Sequence, residues 1–476
     1  MKHNKFALSC GAAALLLAFG AAQAATIQII NMNAPGEGFN DPTPVAPIGG
    51  NPGTTLGAQR LYAFTYAANI WGSKLTSPVP IRIKASFEPR TCTATSAVLG
   101  SAGAMEIFYD FPGAPLPGTW YPGALTAKLY GDEVSSEAHI RARFNSRLGE
   151  PDCLAGRYFY LGLDGNEGNN VDFVAVLLHE MGHGLGFQTF TDGSTGEYFD
   201  AAPGDPGHPS VWDHYLTDVA LNKTWTQSTP AERAVSALSV DKLAWGGALV
   251  TQSAPQVLDK LGVVNISGPA AGATAGDKQY GDAAFGNPVG HPPVSGQLMP
   301  VVDQANGTGL ACSPLNSINI RSVQGNVALV DRGGCPFVQK AANVQAAGAI
   351  AMIVADNAPG TPAGMSGADP TVTIPSVRIS QADGQALRAA LAKRSRTASG
   401  VIATLTLDPT RMAGTDPAGR VLMYAPNPYQ GGSSVSHYTT ATRRNQLMEP
   451  AINEDLTHEV EPPIDLTLPL LKDIGW

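Results

Sequence analysis

The stretch 171–188, VDFVAVLLHEMGHGLGFQ, constrains the chain more than any other part of it. A helix turns about 100° per residue, so side chains four apart project from one face. His179 and His183 can therefore offer two imidazole nitrogens to one metal ion. Glu180 stands one residue round, near that metal without binding it, where a general base for water belongs. The run Phe173, Val174, Val176, Leu177 and Leu178 reads as a buried helix with Asn170 or Asp172 as its N-cap. Gly184 and Gly186 supply the freedom to turn the chain away after the second histidine. A core helix with two chance histidines is the plainer alternative. The apolar lead-in and the trailing glycines weigh against it and toward zinc.

The rest of the chain bounds what surrounds that helix. Its 476 residues leave room for two or three domains with cores of their own. The 53 glycines and 37 prolines imply many turns and long loops rather than a helical bundle. A net charge of −9 with no basic stripe argues against a nucleic-acid partner, and solubility explains the acidity. Residues 1–24 read as a secretory signal. Lys2 and Lys5 form the positive region, 6–19 is mostly apolar, and Ala22-Gln23-Ala24 is a small-x-small cleavage site. A retained N-terminal anchor is the alternative. No later stretch is long and apolar enough to cross a bilayer, so the expected location is extracellular or periplasmic.

Cys10 falls in the signal, which leaves Cys92, Cys153, Cys312 and Cys335 with three possible pairings. The two pairs lie in different compositional regions, so Cys92–Cys153 and Cys312–Cys335 is the economical assignment. An even count in an exported chain favours disulfides over a Cys92 thiol that restrains the metal from a pro-segment.

Taken in order, residues 25–55 are loop-rich, and 56–75 place Leu61, Phe64, Ala68 and Trp71 at helical spacing. Residues 79–87 (VPIRIKASF) and 139–146 (HIRARFNS) alternate as half-buried strands, with Ile140, Ala142 and Phe144 on one face. His139, opening the second strand, reads as a surface residue. Residues 164–172 (DGNEGNNVD) are rich in oxygen donors. A calcium loop would account for them, but the spacing misses the EF-hand pattern and a turn capping the metal helix fits better. Further on, NVALVDR (326–332) and AIAMIVAD (349–356) are apolar strands. The helix between them carries Phe337, Val338, Ala341, Val344 and Ala347, a βαβ order. A strand at 373–380, a helix at 382–394 and a strand at 400–407 follow. Residues 465–476 read as a short amphipathic helix.

Two histidines do not complete a zinc site, because catalytic zinc takes three protein ligands and leaves a position for water. Where compact H-E-x-x-H-x-x-G-x-x-H proteases place the third histidine, this chain has Thr189. Asp192, His208, His214, His291, His437 and His458 are the candidates for the missing donor. HEMGHGLGF at 179–187, SHY at 436–438 and LMEP at 447–450 together resemble the leishmanolysin-like branch of the metzincin peptidases. In that branch a long insertion precedes S-H-W and then, at the same eleven-residue interval as from His437 to Met448, L-M-x-P. The resemblance implies His437 as third ligand and Met448 as the methionine of a turn beneath the metal. Tyr438 stands where the family usually has tryptophan. It covers the zinc helix and the last 40 or so residues, and 56–150 more weakly. His214 in VWDHYL is the main rival ligand, being otherwise a satisfied histidine on an amphipathic helix. For Met448 the plain alternative is a core methionine.

Residues 327–357, with IPSVRISQADG at 374–384, resemble the protease-associated (PA) domain, which has no catalytic residues and covers or restricts substrate access. A passive spacer is the other reading. The implied fold is α+β: a metzincin-like zinc peptidase domain at 25–255 and 411–476, with mixed sheet and zinc helix, interrupted by an α/β PA domain at 256–410. The implied activity is that of a secreted zinc endopeptidase acting on proteins or peptides. One catalytic zinc would sit on His179, His183 and His437, with Glu180 as general base. About 30 residues between the signal and the first helix are too few for the usual metzincin pro-segment. The rivals are an inactive zinc-binding or adhesion protein working through its PA domain, and a zinc amidase with a non-protein substrate. A binding protein would normally lose Glu180 or a ligand, and this chain keeps them all.

Overall fold

The computed structural model describes residues 24–200, 206–302, 309–453 and 455–476. The expected signal, apart from Ala24, and Cys10 within it lie outside the described residues. The chain forms two compact units. One contains the chain up to Val257, Arg420–Thr440 and Asn445–Trp476; the other contains Leu258–Gly419 and Ala441–Arg444.

In the first unit, β1 (Ile27–Asn31), β2 (Ile81–Glu88), β3 (Gly100–Ala104) and β4 (Ile140–Asn145) form a sheet in the order β1-β2-β4-β3. The first three neighbours run parallel, with Ile83 opposite Ile140 and Phe87 opposite Phe144. β3 is an antiparallel edge strand that sets Gly100 opposite Phe144. Successive strand side chains point to opposite faces, so Ile81, Ile83, Ala85 and Phe87 are buried together with Ile140, Ala142 and Phe144.

Two helices cover that apolar face. α1 (Leu56–Lys74) starts at Thr55, whose hydroxyl accepts from Ala58 N at 3.2 Å. α2 (Phe173–Leu185) carries the two histidines. Phe144 meets Phe64 of α1 and Phe173 of α2 with ring centroids 5.7 and 5.2 Å apart. Trp71 of α1 donates its indole N–H to Leu178 O of α2 at 3.1 Å. The buried stripe of α1 runs through Phe64, Ala67, Ala68 and Trp71 as its spacing predicts, but Leu61 is exposed. Arg60 continues the stripe instead, its guanidinium 4.4 Å from the centre of the Phe87 ring.

His139 is also placed differently from the expectation. It is buried although Arg141, two residues on and on the same face, is exposed. Gly123, at the start of a helix, lies against its ring, and a Cβ there would stand 3.8 Å from His139 Cδ2. Its Nδ1 accepts from Arg82 N at 3.1 Å and its Nε2 donates to Glu133 at 3.1 Å.

The second unit is built on an eight-stranded sheet. Its strands are β5 (Lys260–Ser267), β6 (Gly276–Lys278), β7 (Tyr280–Asp282), β8 (Val294–Pro300), β9 (Val327–Asp331), β10 (Ala351–Ala355), β11 (Ser376–Ile379) and β12 (Ile402–Met412), in the order β6-β5-β12-β8-β9-β10-β11-β7. β8 to β11 are mutually parallel. Both faces of β9 and β10 are buried: Val327, Leu329 and Ile353 in one core, Ala328, Val330 and Met352 in the other. That is why those strands read as unbroken apolar runs. α3 (Phe337–Ala346) makes the crossover from β9 to β10, and α4 (Gln381–Ala390) lies on the connection from β11 to β12. The disulfides are Cys92–Cys153 and Cys312–Cys335.

The last helix, α5 (Thr467–Asp473), buries Thr467 through Leu471 without a break, so it is a core helix rather than an amphipathic one.

Candidate metal centre

The sequence places α2 with care. Asp172 is its N-cap, Oδ1 accepting from Val174 N at 2.8 Å and Ala175 N at 3.3 Å. Gly186, at φ +124°, ends the helix and returns its N–H to Gly182 O and His183 O. Trp476 then satisfies Leu185 O at 2.7 Å. Gly184 plays a different part from the expected turn. It lies inside the helix, and a Cβ there would stand 2.4 Å from Ile140 Cγ2. Its value is closeness to β4.

His179, His183 and His437 converge. Their Nε2 atoms are 3.1 Å (179–183), 3.2 Å (183–437) and 3.3 Å (179–437) apart. Each Nδ1 faces a backbone carbonyl: His179 on Leu447 at 2.7 Å, His183 on Phe187 at 2.8 Å, His437 on Ser433 at 2.8 Å. A carbonyl only accepts, so each Nδ1 carries the proton and each Nε2 presents a lone pair. Burial lowers all three pKa values, His179 to about 4 and His183 to about 3, and so favours the neutral, donating form. Three lone pairs directed at one another repel unless a cation lies between them. Nitrogens about 2.05 Å from a tetrahedral zinc are about 3.3 Å apart, which is the size of this triangle. The residues fit a zinc ion. Among the described residues this is the group of three that can share a metal.

The other candidate donors are engaged elsewhere. His214 lies on a 3-10 turn, not an amphipathic helix, and pairs with Thr119 Oγ1 at 3.0 Å. His208 stacks on Tyr109, His458 bonds Asp172, Asp192 accepts from Ser194, and His291 belongs to the second unit. Thr189, in the place of a compact third ligand, donates to Asp213 Oδ1 at 2.7 Å, and its backbone N–H goes to Ser436 Oγ at 3.2 Å. The position that does not bind metal thus steadies the residue before the one that can.

Met448 is fully buried below α2, and a Cβ on Gly182 would stand 2.8 Å from its Sδ. Met448 O accepts from Tyr438 N at 2.8 Å, and the Tyr438 hydroxyl donates to Leu466 O at 3.0 Å. Glu180 is buried as well. Burial raises its pKa to about 8, while the Ala102 N–H and the charge of Arg90 pull it down. Its Oε2 has no partner. Gly100 of β3 makes room for it, since a Cβ there would meet Oε1 at 2.8 Å.

His179, His183, His437 and Glu180 line a cleft of about 850 Å³, bordered by the edge strand β3, by α2, by residues 429, 431–434 and 436, and by 450–453 and 456.

Sequence reasoning missed several contributors. Backbone carbonyls carry no side-chain signature. Asp213 sat next to the histidine under suspicion, and it takes bonds from Thr189, Thr191 and Ser210. A buried acid inside VWDHYL was the available signal.

Comparison with known proteins identifies part of the chain. Residues 294–387 match the family model of the PA domain, and the chain carries that domain. Over 101 residues, 21% of the chain, it is 39% identical to the probable lipoprotein aminopeptidase LpqL of Mycobacterium tuberculosis. The match spans a fifth (20%) of that relative's length. Among solved structures, a zinc aminopeptidase from Bacillus subtilis is 23% identical, over 34% of this chain and 36% of its own, with a TM-score of 0.22. An aminopeptidase from Aneurinibacillus sp. strain AM-1 is 17% identical over 41% of each chain, with a TM-score of 0.23.

Proposed function

We propose that the protein is a zinc-dependent peptidase of metzincin type, its catalytic domain interrupted by the PA domain. The observation that carries this is the Nε2 triangle of His179, His183 and His437, with the unpartnered Oε2 of Glu180 in the same cleft. The three imidazoles would hold zinc, which supplies Lewis acidity toward a carbonyl and toward water. Glu180 takes a proton from the attacking water and passes it to the leaving amine. Burial strengthens Glu180 as a base, and the positive charge of a zinc ion on the three imidazoles would favour its ionised form, the form that takes the proton. Met448 packs beneath the ligand helix. The free edge of β3 along the cleft offers main-chain groups to an extended peptide, which supports an endopeptidase. Export through the signal at 1–24 suits a chain with two disulfides, and the PA domain would restrict or recruit substrate.

Aminopeptidase action is the second reading, favoured by the name of the Mycobacterium tuberculosis relative. An internally quenched peptide with a blocked N-terminus separates the two. An endopeptidase cleaves it and stops with a chelator; an aminopeptidase leaves it intact but releases residues from the unblocked peptide. No cleavage of either by zinc-loaded protein would overturn the peptidase reading.

A further inference from the structure

His458 and Asp172 are 286 residues apart in the chain, yet His458 Nε2 stands 2.7 Å from Asp172 Oδ2. The other oxygen of Asp172 caps α2. One buried carboxylate therefore divides its two oxygens between the first turn of the ligand helix and a distant histidine. Asp172 lies on the stripe of α2 that faces the cleft, with Ala175, Val176, His179 and His183. Another part of the cleft wall is made by residues 450–453 and Leu456, and His458 stands two residues beyond it.

That wall is tied at its start, where Asn453 Nδ2 donates to Glu449 Oε2 at 3.0 Å and Asn445 Nδ2 donates to Asp455 Oδ1 at 2.6 Å. Its end is tied by His458. The histidine side chain is 14% exposed and sits edge-on to Tyr66 of α1, 6.0 Å between ring centres. The chain after it is fastened again by the Lys74–Glu461 ion pair. A hydrogen bond from a half-sheltered imidazole to a carboxylate resists competition by water better than an exposed one.

We infer that the His458–Asp172 contact is a positioning strap for the substrate cleft. It holds the wall of residues 450–453 and Leu456 at a set distance from the first turn of α2, and so governs how tightly substrate is gripped without touching the metal. The inference rests on the peptidase reading for its substrate but not for its mechanics. Neither residue touches the reacting atoms; both act through the wall.

The test uses the full chain with His458→Ala, His458→Gln and Asp172→Asn. His458→Ala is expected to raise KM for a quenched peptide about tenfold, with kcat within about twofold and zinc content unchanged. His458→Gln keeps a side-chain N–H donor and should recover most of the loss. Asp172→Asn keeps the cap acceptor, and its amide N–H can still donate to the other tautomer of His458, so its KM is expected to lie between those of the wild type and His458→Ala. In parallel, hydrogen exchange at the amides of Leu456 and Leu468, which bond Asn453 O at 3.4 Å and Val460 O at 2.8 Å on either side of His458, should quicken in His458→Ala. If wild-type protein cleaves no peptide but exchange quickens as described, the strap stands and the peptidase reading falls. If exchange at those amides is unchanged, or if His458→Ala lowers Tm alone and leaves KM where it was, the strap is overturned.

Discussion

His179 Nδ1 stands 2.7 Å from the carbonyl oxygen of Leu447, the residue immediately before Met448. The other two histidines bond carbonyls only four residues away, Phe187 and Ser433. His179 alone reaches across the fold, and Leu447 is itself held, its N–H going to Asp465 Oδ2 at 2.7 Å. The ring at 179 is therefore oriented by the turn that carries the methionine, as second-layer contacts commonly orient metal-binding imidazoles. A metal on 179, 183 and 437 would join helix and turn into one unit.

With that coupling, metal binding would contribute to stability. Chelation is expected to lower Tm and added zinc to restore it, by about 4 kcal/mol when free zinc exceeds Kd a thousandfold. His437→Ala should lose most of the zinc-dependent shift in differential scanning fluorimetry. A shift as large as that of the wild type would remove His437 from the ligand set.

Glu180→Gln should separate binding from chemistry. The side chain keeps its size beside Gly100 but can no longer accept a proton. Activity on peptides is expected to fall about 10²- to 10⁴-fold. Zinc content by mass spectrometry or atomic absorption should stay at one ion per chain, because Glu180 lies outside the imidazole triangle. Loss of metal together with activity would give Glu180 a ligand's role instead.

Gly184 lets α2 approach β4. An added Cβ would lie 2.4, 2.8 and 3.0 Å from three side-chain atoms of Ile140, which is β-branched, stiff and fully buried. The gain from replacing a helical glycine is about 1 kcal/mol. Overpacking of this kind costs about 1–3 kcal/mol and should win. Gly184→Ala is expected to lower the urea midpoint, and the double variant with Ile140→Ala should be more stable than the sum of the two single losses predicts. Strict additivity would mean that the clash is absent.

How much of this was legible in the sequence depended on range. The i, i+4 pair His179 and His183 is local helix geometry that spacing alone reveals, and side-chain type narrowed the N-cap to Asn170 or Asp172, of which the helix uses Asp172. The runs around Val327–Asp331 and Ala351–Ala355 were legible because both faces of each strand are buried. His437 lies 254 residues from His183, beyond any local rule, and only a family pattern pointed to it. His139 was misplaced because alternation says which residues share a face, not which of them a neighbouring segment covers: Arg141 on the same face is exposed, while His139 lies against Gly123. Gly184 was misread for a related reason: a glycine serves a turn or a close approach, and only the neighbour, Ile140, tells them apart.

The rim of the cleft offers a test of the first disulfide. Thr95, Ser96 and Ala97 line the cleft on one side of Cys92, and Leu154 follows Cys153. Leu154 N and Ala155 N also donate to Thr93 O and Ala94 O at 2.8 and 3.0 Å, so the bridge lies beside a short ladder. The chain-entropy relation gives about 4 kcal/mol for a loop of 61 residues. Cys92→Ser with Cys153→Ser should therefore lower stability by about that much and raise KM for peptides more than it lowers kcat. Unchanged KM in protein that remains folded would mean the rim is held without the bridge.

The second unit contains a charge whose burial gives a pH signature. Lys340, on α3, is fully buried, and its ammonium donates to Leu310 O and Gly333 O at 2.6 Å each. Burial lowers its pKa from 10.5 to about 8, with Asp331 opposing. An unfolded chain keeps that proton until about pH 10.5, whereas the folded chain releases it near 8. Between those values the unfolded state binds more protons, so stability rises with pH. Below about 8 both states are protonated and the full cost of the buried charge is present. Lys340→Met keeps the length of the side chain without the charge and removes this dependence. The difference in Tm, wild type minus Lys340→Met, is therefore expected to increase between about pH 8 and about pH 10. A flat difference over that window would mean that the two carbonyls and Asp331 keep Lys340 protonated to its ordinary pKa.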